Sequence, residues 1–131
     1  MREIKYSGLI GLLLFLAGCI FSCSENNLSL SLNGTWHVEE HSQLYGTQHY
    51  DVQITQLDST KIEITNFYNL GTDTYVYVLL DEATITISKQ VVNGYTIQGS
   101  GTVKSDFKNI IFNFTASDGT VQDVVVAHFK R

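Results

Sequence analysis

Tyr95-Thr96-Ile97-Gln98-Gly99-Ser100-Gly101-Thr102-Val103 alternates without a break: apolar residues and glycine at odd positions, polar residues at even ones. A repeat of two places the odd set on one face of a β-strand and the even set on the other. Asn93-Gly94 stands immediately before it. That pair suits a type I′ turn, which needs positive φ at both central positions, so the stretch opens as the second arm of a hairpin.

The same period runs outward in both directions. Trp36 and Val38 alternate with His37 and Glu39. Tyr50, Val52 and Ile54 alternate with Asp51, Gln53 and Thr55, and Ile62 and Ile64 with Lys61, Glu63 and Thr65. Ile110, Phe112 and Phe114 alternate with Asn109, Asn113 and Thr115, and Val124 and Val126 extend the apolar set near the end. Asp118-Gly119 is read as a turn of the same kind as Asn93-Gly94. Asp58-Ser59-Thr60, Gly71-Thr72-Asp73 and Asp81-Glu82 mark further reversals. Reversals this frequent leave no room for crossover helices, so neighbouring strands run antiparallel. The expectation is an all-β fold, a single antiparallel meander of about eight strands.

Closing such a meander into a barrel hides its apolar face and removes both edges, and eight strands enclose an interior that side chains about fill. Gly99 and Gly101 have the inward parity of Ile97 and allow the bending that closure needs. A two-sheet sandwich is the alternative. Trp36, Val38, Val52, Ile54, Ile62, Ile64, Val76, Val78, Ile85, Ile87, Tyr95, Ile97, Ile110, Phe112, Phe114, Val124 and Val126 all claim interior volume. That set thins only at Gly99 and Gly101, so a ligand pocket is expected there, beside Tyr95, Tyr75 and Tyr77. Tyr75, Tyr77 and Leu79 also share the outward parity of β-strand 74–80, where exposed aromatics would offer a contact patch.

Ahead of the barrel, Arg2 and Lys5 precede an uncharged run from Gly8 to Phe21, the pattern of a secretory signal. The run is too short to cross a hydrocarbon core of roughly 30 Å as a helix. It closes on Leu16-Ala17-Gly18-Cys19, which resembles the lipobox of bacterial lipoproteins. The resemblance implies cleavage before Cys19 and attachment of acyl chains, palmitate among them, to its thiol and new amino group. Ile20-Phe21-Ser22-Cys23 offers Cys23 as the alternative. Three segments follow: a signal peptide over 1–18, a lipidated polar tether over 19–32, and the β-domain over 33–131. The implied location is the cell envelope, at the outer membrane of a Gram-negative bacterium.

Both cysteines lie in the leader, so the β-domain has neither a disulfide nor a cysteine-ligated metal. Removal of residues 1–18 leaves six basic and twelve acidic residues. That balance argues against nucleic acid, whose affinity comes from neutralised phosphates.

Gly34-Thr35-Trp36 is similar to the G-x-W signature that opens the lipocalin barrel, and Ile62-Glu63-Ile64-Thr65-Asn66-Phe67-Tyr68-Asn69 resembles a small lipocalin-like group of anchored bacterial lipoproteins. The resemblance implies that Trp36 plugs one barrel end and that Arg131, or failing that Lys130, lies over its indole. It departs from the family in lacking a helix after the barrel, a disulfide, and a late TDY triplet.

For chemistry, His37, Glu39 and His41 share one strand face, and His49 lies on the next strand. These are candidate ligands for zinc or another transition metal, against the alternative of a polar outer face. No G-x-S-x-G elbow, HExxH or glycine-rich phosphate loop occurs. The expected function is therefore non-catalytic and needs no cofactor. It is binding of a small apolar ligand, with two alternatives: an accessory or inhibitor protein that docks onto another envelope protein through its outer face, and a metal-binding protein.

Overall fold

The structure is a computed structural model that describes residues 32–131; the leader, Cys19, Cys23 and nearly all of the tether lie outside the described residues. Eight strands follow one another: β1 Gly34–Ser42, β2 Gly46–Gln56, β3 Lys61–Thr65, β4 Tyr75–Asp81, β5 Thr84–Val92, β6 Tyr95–Val103, β7 Asn109–Ser117 and β8 Gln122–Lys130. Each pairs antiparallel with the next, and β8 pairs back onto β1 with Val38 opposite Phe129 and Glu40 opposite Ala127. The meander is a closed barrel, not a sandwich.

Alternation does the folding. Trp36, Val38, Val52, Ile54, Ile62, Ile64, Val76, Val78, Ile85, Ile87, Ile97, Ile110, Phe112 and Phe114 are all buried in one core. Charged neighbours such as Asp51, Lys61 and Glu63 point away from it. Apolar inside and polar outside is the reverse of a barrel that spans a membrane. Among the described residues, no helix is long and apolar enough to cross one.

β8 departs from expectation. Val125, Ala127 and Phe129 face inward with Asp123, whereas Val124 is 42% exposed and Val126 only partly covered. Three consecutive valines carry no alternation, so the inward parity is set by their neighbours, above all by the fully buried Phe129. Tyr95 is likewise only half-buried.

The turns behave individually. Asn93 and Gly94 both take positive φ, 49° and 85°, as a type I′ pair must. At Asp118-Gly119 only the glycine does. There the Asp118 carboxylate accepts from the amides of Thr120 and Val121 and shapes a wider loop.

The two ends of the barrel differ. At one, the Trp36 indole donates to the Leu32 carbonyl at 2.9 Å and Arg131 covers the ring. At the other, the segment between β3 and β4 turns into the mouth as a short 3-10 element, Phe67–Asn69. Phe67 inserts between Phe112, Phe114 and Phe129, with ring centroids 4.7–6.2 Å away.

Candidate functional site

The plug places its side chains by adopting costly backbone. Asn66, Tyr68 and Asn69 all have φ near +60°, a region L-residues enter reluctantly. Asn66 anchors the loop at both ends: its amide nitrogen donates to the Asp51 carbonyl, and its amide oxygen accepts from the Gly71 N–H, each at 2.8 Å. Tyr68 is thereby turned over the barrel mouth, edge-on to Tyr95 at 5.5 Å and to Phe114 at 5.8 Å.

Beneath Tyr68 lies a layer of buried polar groups. Glu40 and Ser42 continue the inward parity of Trp36 and Val38, and Asp123 opens the inward series of β8; all three are buried. Tyr50 donates its hydroxyl to Glu40 Oε1 at 2.6 Å. Tyr68 donates to Asp123 Oδ2 at 2.6 Å, and the Ser42 hydroxyl donates to the same oxygen. Asp123 Oδ1 accepts from the Leu44 amide at 3.1 Å. Two carboxylates therefore sit at one barrel mouth, held by hydroxyl and amide donors and, among the described residues, by no cation.

The electrostatics follow. Burial, then the nearby Asp123, pushes the Glu40 carboxyl above the usual range, against the pull of the Tyr50 hydrogen bond. Burial and the adjoining carboxylates keep the Tyr50 and Tyr68 phenols protonated, so both act as fixed donors. Above this layer opens a cleft of about 230 Å³ lined by Glu40, Tyr45, Gln48, Tyr68, Asn69, Leu70 and Tyr95.

The residues singled out in the sequence fall in several places. Tyr95 reaches the cleft. Gly99 and Gly101 face inward as expected, but the room they leave is taken: a Cβ on either would come within 2.6 Å of Phe114 or of the Phe112 ring, their cross-strand partners. Gly101 makes space for the Phe112 ring, and Gly99 lets the β7 backbone at Asn113 and Phe114 approach closely. Tyr75 and Tyr77 lie on the outer face of β4, 44% and 48% exposed, away from the interior. Gly34 takes φ +133° at the entry to β1, and Trp36 is fully buried beneath Arg131.

His37, Glu39, His41 and His49 stand on the outer face of β1 and β2, and the strand pairing adds His128 of β8 directly opposite Glu39. All four histidines of the chain thus surround one glutamate. They do not converge: His37 Nδ1 pairs with Asp51 at 2.7 Å, and His41 Nε2 stands 3.7 Å from Glu39. Among the described residues, no three His, Cys, Asp or Glu side chains are placed to hold a metal.

Glu40, Tyr50, Tyr68 and Asp123 were not among the site residues expected from sequence. Glu40 carried the one available signal, an acid in phase with Trp36 and Val38.

No family model matches the chain, and no curated protein matches it. Among solved structures it is similar to a redesigned beta barrel, with a TM-score of 0.57 at 17% identity over 77% of this chain and 91% of that one. The class defined is the closed, eight-stranded, antiparallel meander barrel.

Proposed function

We propose that the chain is a cell-envelope lipoprotein, anchored to the outer membrane through acyl chains on Cys19, with a non-catalytic, lipocalin-like barrel that binds a small ligand at its plugged end. The observation that carries the binding reading is the cleft itself: an aromatic-lined opening whose floor is a buried carboxylate. Protein interiors retain such groups at a cost, and strained backbone collects at ligand clamps. The barrel interior is a poorer host, since Phe67, Phe112 and Phe129 fill its centre. A non-catalytic role is supported by the separation of Ser42, which faces inward, from all four histidines, which face outward.

The anchor reading rests on Leu16-Ala17-Gly18-Cys19. Each buried methylene contributes about 0.8 kcal/mol, so several acyl chains would make attachment effectively permanent. The first strand enters the barrel at the Trp36 end, opposite the plugged end.

A second reading, docking onto another envelope protein, is favoured by the outward row of Tyr75, Tyr77 and Leu79 on β4, all exposed.

Native mass spectrometry of the protein gently extracted from its membrane tests both halves. The account expects a chain that starts at lipidated Cys19 and carries a small-molecule adduct lost on unfolding. An unlipidated chain would overturn the anchor, and a bare chain beside a co-purifying protein would favour docking.

A further inference from the structure

We propose that the ligand of this cleft is a small organic cation, a primary or quaternary ammonium ion, seated between Glu40 and the rings of Tyr45, Tyr68 and Tyr95. This deepens the binding reading and rests on it.

Glu40 is only 1% exposed, yet it lines the cleft. Its Oε1 accepts from Tyr50, whereas among the described residues no donor bonds to Oε2. No fully enclosed side-chain oxygen or nitrogen of the described residues is left without a partner. Among the described residues Oε2 thus keeps its acceptor capacity, on a carboxylate that lines the cleft.

The walls are aromatic. Tyr68 and Tyr95 meet edge to face, and Tyr45 stands at the rim. A ring face attracts a cation through its quadrupole, and the attraction grows as water is excluded. The phenols of Tyr50 and Tyr68 are already spent on Glu40 and Asp123, so the ring of Tyr68 meets the ligand as surface, beside the polar side chains of Gln48 and Asn69.

Charge completes the selection. Among the described residues no lysine or arginine lines the cleft, Asp123 lies behind it, and Asp118 acts on Tyr45 at its edge. Five of the six described Lys and Arg residues, Lys61, Lys104, Lys108, Lys130 and Arg131, lie at the ends of strands or in turns at the Trp36 end. An anion would meet two buried acids with no lysine or arginine of the described residues lining the cleft; a cation would supply the counter-charge that the two acids lack.

Isothermal titration calorimetry of the full-length chain in detergent micelles, with choline and its neutral isostere 3,3-dimethyl-1-butanol as probes, tests the inference. The expected result is saturable binding of choline, at least tenfold weaker for the isostere. Choline affinity should fall as the pH is lowered and Glu40 takes up a proton, with Asp123, Tyr50 and Tyr68 as its facing groups. Glu40→Gln should lose tenfold or more and flatten that pH dependence. Tyr45→Ala, at an exposed rim position that the fold does not need, should weaken choline severalfold. Equal binding of both probes would overturn the cation inference while leaving a binding module; so would choline binding indifferent to Glu40→Gln. Binding of neither probe would also overturn it, and the adduct measurement above would then decide the binding reading separately.

Discussion

The guanidinium carbon of Arg131 lies 4.5 Å from the centroid of the Trp36 ring, joining the last residue of the chain to the first strand. Arg131 Nη1 also donates to the Asn33 carbonyl at 2.9 Å and Nε to the Phe107 carbonyl at 3.0 Å. One side chain thus staples the start of β1, the end of β8 and the β6–β7 turn. Arg131→Ala should cost about 1–3 kcal/mol, read as a lower midpoint in urea at unchanged slope. Arg131→Lys should recover only part of the loss, because an ammonium cannot stack and fork at once.

Phe67 is the plug's anchor, 1% exposed among three other phenylalanines. Phe67→Ala should destabilise by about 3–5 kcal/mol and leave a dry, apolar void. Xenon or benzene should then bind the variant and not the parent chain. Equal uptake by both would mean that the interior is already open.

The wall is weakest between β4 and β5, where pairing runs only from Leu79 opposite Thr86 to Asp81 opposite Thr84. On the other side of β5, its pairing with β6 shifts register between Ile87 and Gln90. The Gln90 side chain fills in for the ladder: its oxygen accepts from the Tyr77 amide at 3.0 Å, and its nitrogen donates to the carbonyls of Tyr77 and Ser88. Gln90→Ala should cost about 1–3 kcal/mol and accelerate hydrogen exchange at the Tyr77 amide selectively. Gln90→Glu, which cannot donate, should cost more.

Much of this architecture was legible because periodicity is a local property. Ile62 with Ile64, Tyr95 through Val103, and Ile110 through Phe114 each declare their faces, and Asn93-Gly94 declares its turn. The Val124-Val125-Val126 run does not, since the choice of inward valine is made by Phe129 and Asp123 once β8 pairs with β1 and β7. The plug is not declared either: Phe67 and Tyr68 sit in a segment without a period, and their burial depends on strands β6–β8, far along the chain. Gly99 and Gly101 show the limit from the other side. Missing side chains signal space, but the cross-strand partner decides what fills it.

Glu40 and the turn aspartates give stability opposite pH dependences. The Glu40 carboxyl is raised in the folded state, so its neutral form is favoured there; this contribution is full below the ordinary glutamate range and is lost as pH rises through the folded value. Asp58, Asp106 and Asp118 are lowered, chiefly by backbone amides in their turns, and their contribution is lost as pH falls through their folded values. Thermal stability should therefore rise as pH is lowered from neutrality, then drop in stronger acid. Glu40→Gln should remove the rise and keep the drop.

The central claim is that ligand recognition belongs to the plugged mouth of the barrel and not to its filled interior or its outer wall. Amide chemical shifts of the isotopically labelled full-length protein in micelles, followed during a choline titration, test this most directly. The account predicts saturating changes at Glu40, Tyr45, Gln48, Asn69 and Tyr95, with Gly34 and Val91 unmoved. Changes centred on Tyr75, Tyr77 and Val91 would contradict it, as would a spectrum that choline leaves unaltered.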